Sequence, residues 1–236
     1  MTTLAAEFDR SAVTSARAAA AAAAARSGVV VEQAHESGGL GAIGSVVDAI
    51  WHPTTGGEPL SPLILRAFEH TGNYCAIARL DDQVVGACVG FLAVEPAGCL
   101  HSHLAGVTLA AAGRHVGFAL KLDQRAWALE HGMSSVEWTF DPLVRRNAYF
   151  NCAKLRAVPS AYLTDFYGAM HDRTNVGQGS DRLVATWKLL DQRVLHAADG
   201  DHPTDLAADL LARPDTVVVL DAMGDRPVAG TPPRPD

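Results

Sequence analysis

Apolar and polar positions along this chain switch between a helical and a strand period, and each switch marks an element. Residues 4–26 are alanine-rich with scattered Arg, Glu and Asp. Alanine has the strongest intrinsic helix preference, so the segment reads as a helix. With little large apolar surface to dock it, a partly ordered tail is the other reading. Residues 29–32 read as a short strand. Over 40–51, Ile43, Val46, Val47 and Ile50 recur at helical spacing. His52-Pro53 and Gly56-Gly57 break that run, and Ser61-Pro62 supplies a cap and a first-turn proline for a helix over 62–70. Residues 73–80 and 84–94 form a hairpin around Asp81-Asp82-Gln83. Its second run is apolar throughout, as in a central strand buried on both faces.

A turn at Pro96-Ala97-Gly98 leads to a strand over 99–107, a loop of small residues over 108–117, and a strong helix over 116–131. On that helix Val116, Phe118, Ala119, Leu120, Leu122, Ala126, Trp127 and Leu129 share one wide arc, which suits a helix laid on a sheet. Lys121, Gln124, Arg125 and His131 fall opposite. A strand over 136–140, the turn at Asp141-Pro142, a shorter helix over 146–155, and strands over 158–166 and 183–189 follow, the last two joined by a Gly-rich connection. Beyond Arg193 the composition shifts to Asp199-Gly-Asp-His-Pro, an Ala-rich stretch, a lone apolar run over 217–220 and a Pro-rich tail, which reads as disordered. The expected organisation is a helix or tail over 1–27, an α/β domain over 28–195 and an appendage over 196–236. No internal repeat is visible.

Composition narrows the function classes. The chain has 236 residues, 48% of them hydrophobic and 19% charged, which is enough apolar surface for a packed core and excludes a wholly disordered chain. A net charge of −7 argues against non-specific nucleic-acid binding, which depends on neutralising phosphates, but leaves room for a local basic patch. Cys75, Cys88, Cys99 and Cys152 lie far apart with no CxxC pair, so they read as buried thiols, not as a zinc cluster or a disulfide framework. The longest low-charge run is the eight alanines over 18–25, too short and too weakly apolar to span a membrane. Glu7 and Asp9 stand where a signal peptide carries basic residues, so a cytoplasmic protein is expected.

The junction over 107–117 carries the most chemistry. A strand entering a small-residue loop and then a helix leaves backbone N–H groups without partners, and the helix dipole adds positive potential. Such a turn can bind phosphate or pyrophosphate, or can be an ordinary tight turn. Gly113 and Gly117 allow close approach, and Arg114 and His115 can add charge. His101 and His103, two apart on a strand, share a face and can accept a proton near neutrality. Two half-buried, hydrogen-bonded histidines is the alternative. A metal pair lacks a clear carboxylate partner, and no metal is expected. Glu137 faces away from Val136, Trp138 and Phe140, toward an acceptor site or toward solvent. A nucleophilic Cys152 would need an electropositive setting. Asp141 is expected to brace its turn.

The stretch from Leu104 to Lys121 resembles the acyl-CoA-binding motif of the GCN5-related N-acetyltransferase (GNAT) superfamily, a strand followed by Val-x-Pro-x-x-Arg/Gln-Gly-x-Gly-x-Gly/Ala. Val107, Gly113 and Gly117 fall in register, while Leu109, Ala112 and His115 replace the usual Pro, Arg/Gln and first pyrophosphate glycine. Glu137-Trp-Thr-Phe-Asp-Pro-Leu, Asn147-Ala-Tyr-Phe-Asn and Asp165-Phe-Tyr-Gly extend the resemblance to a little-characterised branch of predicted acyltransferases, over about residues 28–195. The resemblance implies a three-layer α/β/α fold with a mixed, bent sheet that splays between the strands over 100–107 and 136–140.

It also implies a site. The arm of acetyl-CoA or another acyl-CoA would lie in the splay against Ala105, Gly106 and Val107. Ala112, Gly113, Arg114, His115, Val116, Gly117 and Phe118 would hold its pyrophosphate, and Asn147 and Phe150 would contact the cofactor. His103, His101 or Glu137 would take the proton of the acceptor, and a backbone N–H near Val107 would hold the oxyanion. A tyrosine acid is usual late in the short helix; here Cys152 stands in its place, leaving Tyr149 or Tyr167 as donors. Either tyrosine is otherwise an ordinary amphipathic aromatic. The implied activity is acyl transfer, acetyl or succinyl, to a small-molecule amine or amino acid. Neither nucleic acid nor membrane is an expected partner, and a homodimer is allowed. A non-catalytic acyl-CoA-binding protein and a structural module are the rival classes. A dinucleotide-binding Rossmann enzyme would need repeated βαβ units.

Overall fold

The computed structural model describes residues 10–51, 60–168, 179–200, 212–214, 220–223 and 226–229. The expected break over 52–59, most of the Gly-rich connection and the Pro-rich tail lie outside the described residues. The chain divides into two compact units, Met1–Asp201 and His202–Asp236. The second contains the antiparallel pair β8 (Leu220–Met223) and β9 (Arg226–Ala229).

The first unit is built on a seven-stranded sheet of order β1-β2-β3-β4-β5-β7-β6. These strands are β1 (Val30–Gln33), β2 (Tyr74–Leu80), β3 (Gln83–Leu92), β4 (Cys99–Val107), β5 (Ser135–Phe140), β6 (Val158–Leu163) and β7 (Arg182–Lys188). Neighbouring strands run antiparallel except β4 and β5, which are parallel. Strand alternation sends successive residues into two separate cores. Tyr74, Ala76 and Ala78 of β2 enter the core beneath α4 (Val116–Glu130), while Cys75 and Ile77 enter the one beneath α2 (Glu36–Trp51) and α3 (Pro62–His70). Helices therefore cover both faces and the architecture is the expected three layers. The start of α3 is as the sequence indicates: Ser61 Oγ accepts from the Leu63 amide at 3.3 Å, with Pro62 in the first turn.

Residues 10–27 form a helix, α1 (Arg10–Ser27), and it docks. Ala16, Ala20, Ala23 and Ser27 make a buried stripe against α4, where small side chains let the helix axes approach closely. Arg17 fixes the register, reaching Asp123 Oδ1 at 2.9 Å and the Glu130 carboxylate. Asp123 also accepts from the wholly buried Tyr74 hydroxyl at 2.8 Å. Gly28, at φ +68°, ends the helix in the left-handed conformation that glycine tolerates. Lys121, Gln124 and Arg125 turn toward the sheet side and are buried, at 2%, 0% and 2% exposure, contrary to the polar face their spacing suggests. Arg125 is satisfied by two bonds to the Leu189 carbonyl, at 3.0 and 2.7 Å.

The helix expected over 146–155 is a single turn, α5 (Arg145–Ala148), running into a wide π turn over Tyr149–Lys154. Its signature is the bond from the Leu155 amide to the Phe150 carbonyl at 2.9 Å, and Trp187 Nε1 caps the Leu155 carbonyl at 2.7 Å. Asp141 braces its turn, accepting from the Leu143 amide at 2.8 Å. No helix among the described residues is long and apolar enough to cross a membrane.

Candidate active site

The site begins where two strands part. β4 and β5 pair only through Cys99–Ser135, Leu100–Val136 and His101–Glu137. Beyond these three pairs β4 stays on β3 and β5 stays on β7, so the strands fork and no longer pair with each other. A bulge on β4 sits just past the apex. Val89 pairs with Leu104 and Gly90 with Ser102, which leaves His103 out of the ladder. The bulge reverses the alternation: Ser102 faces α4, whereas Leu104 packs under α2. At the open end Ala105 is exposed and Val107 half-buried. A side chain at Gly106 would fall 2.6 Å from Ile50 Cδ1 and 2.9 Å from a Trp51 ring carbon, so packing by α2 requires glycine there.

The loop after β4 closes that open end. A 3₁₀ turn over Leu109–Ala111 absorbs the Ala112 and Arg114 amides, which bond to Leu109 and Ala111 carbonyls, and the Phe118 amide bonds to the His115 carbonyl. The amides of Gly113, His115, Val116 and Gly117 make no hydrogen bond among the described residues. Four unpaired donors thus surround the start of α4. Gly113 and His115 have φ of +80° and +63°, and His115, replacing a glycine of the motif, adopts the left-handed conformation nonetheless. A Cβ on Gly117 would lie 3.7 Å from Val107 Cγ2 and 3.8 Å from Phe150 Cζ, so β4, the loop and the π turn meet here. Asn147 lies one turn before Phe150 and is half-buried. Phe118 points into the core. The sequence reading missed Lys154, whose Nζ lies 3.2 Å from His115 Nδ1 and adds a cation to the loop. Only the π turn, invisible in the periodicity, aims it there.

On the α2 face of the fork lie the expected proton acceptors. The His101 and His103 ring centroids are 6.1 Å apart, and Phe91 packs on them at 4.9 and 5.8 Å. Burial, and then the neighbouring His103, hold the His101 imidazole below its ordinary pKa. Glu137 is the register partner of His101 on one side and of Thr186 on the other. Thr186 Oγ1 donates to Glu137 Oε1 at 2.7 Å and lies 2.8 Å from Ser160 Oγ. Tyr167 Oη lies 3.0 Å from Thr139 Oγ1, one step along the same face. Tyr149 is 58% exposed at the head of the π turn. Cys152 is half-buried and burial pushes its thiol up, which favours the protonated form.

On the α4 face, Ser102 and Trp138 are the first residues past the apex, and Lys121 reaches both. Its Nζ lies 2.9 Å from Ser102 Oγ, 2.8 Å from Gln124 Oε1 and 3.8 Å from the centroid of the Trp138 ring. Desolvation lowers its pKa from 10.5 to about 8. Among the described residues no group of three or more His, Cys, Asp or Glu is placed to hold a metal ion.

No family model matches the chain. No curated protein matches it either. Solved structures do. The ribosomal-protein-S18-alanine N-acetyltransferase from Escherichia coli superposes with a TM-score of 0.55 at 9% identity, over 68% of this chain and 94% of that one. For yncA from Salmonella typhimurium, solved with its cofactor acetyl-CoA, the TM-score is 0.54 at 13% identity, over 69% and 95%. An acetyltransferase of the GNAT family from Streptococcus pneumoniae gives 0.53 at 10% identity, over 67% and 97%. Identities this low speak to architecture and not to substrate. With its forked mixed sheet and helices on both faces, the chain has the fold of the GCN5-related N-acetyltransferases.

Proposed function

We propose that the chain is an N-acyltransferase that moves an acyl group from acyl-CoA to the amine of a small molecule or amino acid. The observation that carries this reading is the set of four unpaired amides, Gly113, His115, Val116 and Gly117, at the open end of a strand fork. Such amides suit the diphosphate of CoA, and Arg114 and Lys154 add positive charge beside them. The fork suits a pantetheine arm, whose amides can use strand edges that lack partners. That a structural neighbour carries acetyl-CoA supports the same reading.

The chemistry then needs few side chains. The acceptor ammonium gives a proton to His101, directly or through water, with Glu137 and His103 alongside. The neutral amine attacks the thioester carbonyl; a C–N bond forms, the C–S bond breaks, and the thiolate leaves and takes up a proton. A backbone N–H on the fork side of β4, near Val107, would receive the oxyanion. Tyr149 remains the candidate proton donor from the resemblance, and a thiolate departs readily without one.

The test is ligand-dependent melting. CoA at a hundred times its Kd adds about 2.7 kcal/mol to stability. Gly117→Glu sets a carboxylate among the amides and removes that shift while leaving the unliganded melting temperature close to the parent. Retained CoA affinity in the variant overturns the loop assignment. Turnover with a panel of amines separates an enzyme from a non-catalytic acyl-CoA binder.

A further inference from the structure

The reaction above leaves the best-buried cation of the fork unused. Lys121 is 2% exposed; a hydroxyl, an amide oxygen and an indole ring surround it, with the buried Cys88 thiol nearby and no carboxylate in contact among the described residues. A buried ammonium without an anion is unfavourable by several kcal/mol, so its retention asks for a role. The groups around it hold more donors than acceptors. Lys121 brings three N–H bonds, Gln124 two and Ser102 one O–H. The Gln124 amide orientation is fixed because Oε1 accepts from Lys121. Its Nε2 is then wholly buried beside Gly90 of β3, with no partner among the described residues. An ammonium buried on Ser102 and Trp138 without a carboxylate is matched to an anion that a bound ligand brings.

Position says where that acceptor comes from. Ser102 and Trp138 are the first residues beyond the last β4–β5 pair, so Lys121 Nζ stands at the apex of the fork on the α4 side. A carrier held by its phosphates at the open end lies along β4 from Val107 back to His101. Six residues of strand cover ~20 Å, comparable with an extended pantetheine arm. The acyl group therefore arrives at the apex, with His101 and Glu137 on one face of the sheet and Lys121 on the other.

We infer that Lys121, held in place by Gln124 Oε1, is a receptor for a carboxylate at the far end of the acyl group. The preferred donor is then the CoA thioester of a short dicarboxylic acid, of the succinyl or malonyl kind. This rests on the acyl-CoA reading above and adds the acyl class to it. The two faces divide the work: the α2 face takes the amine and its proton, and the α4 face selects the acyl chain by its terminal charge.

Calorimetric titration of the full chain at pH 7 with CoA, acetyl-CoA, butyryl-CoA and succinyl-CoA tests this. Butyryl and succinyl groups match in length and differ in the terminal carboxylate. Succinyl-CoA is expected to bind at least about tenfold tighter than butyryl-CoA, the scale of a charge-assisted bond in a dry site. Lys121→Met is expected to bring that ratio within about twofold while affinity for CoA itself stays put. Equal or tighter binding of butyryl-CoA by the parent overturns the receptor, as does a preference that survives Lys121→Met. The parent comparison needs no variant, and Gln124→Leu, expected to cut the ratio about threefold, serves if Lys121→Met misfolds. Binding of CoA and acetyl-CoA without a succinyl preference sinks the receptor alone. Binding of no CoA compound sinks the acyl-CoA reading and the receptor with it.

Discussion

An imidazole in water is half-protonated near pH 6.5. His101 is half-buried beside a second imidazole, and both effects disfavour its charged form. At neutral pH it is therefore free to take a proton, and activity is expected to persist below pH 6.5, falling only as His101 itself protonates. A pH profile of kcat/KM checks this. His101→Gln is expected to lower kcat by about 10²- to 10⁴-fold, the usual worth of a general base, with the Kd for CoA unchanged. Lys121 gives a prediction of the opposite sense, about stability. Its pKa is about 8 in the folded state against 10.5 unfolded. Between those values the unfolded chain binds more protons, so this residue makes stability rise as pH climbs from about 8 to 10.5. Below pH 8 its full cost, a few kcal/mol, is present. Lys121→Met should flatten that part of the difference between parent and variant and raise the melting temperature at pH 7.

At the scale of elements, α4 was legible and its surroundings were not. Its apolar arc and its start after a small-residue loop are both readable from spacing. Spacing cannot say that a second helix covers the other side, because α1 buries alanines and a serine, residues that carry almost no apolar signal. The same limit hid the bulge at His103, which is a matter of pairing between strands, and the π turn that brings Lys154 to His115. The loop amides were legible because glycines and a helix start advertise them. Docking through small residues has a consequence that can be measured. Ala20 is 6% exposed in the α1–α4 interface. Ala20→Leu overpacks that contact and should cost about 1–3 kcal/mol in a urea titration. Stability equal to the parent would mean that the two helices separate readily.

Over the whole molecule, Met1–Asp201 holds both cores and every element of the fork, and His202–Asp236 forms its own compact unit. A chain ending at Asp201 is accordingly expected to melt cooperatively and to keep its response to CoA; a broad, non-cooperative melt would assign the last unit a part in folding. Within the first unit, the four strands before the fork and the three after it are stitched together by only three register pairs. Elsewhere each joint between neighbouring strands carries four or more. The molecule thus has a seam, clasped chiefly by α4 lying across it, and breathing along that line should expose the Cys99–His101 and Ser135–Glu137 amides to deuterium sooner than the amides deep in β2 and β3. Anything lodged in the gap would act as a wedge that also glues, slowing exchange at those six residues before it slows exchange anywhere else.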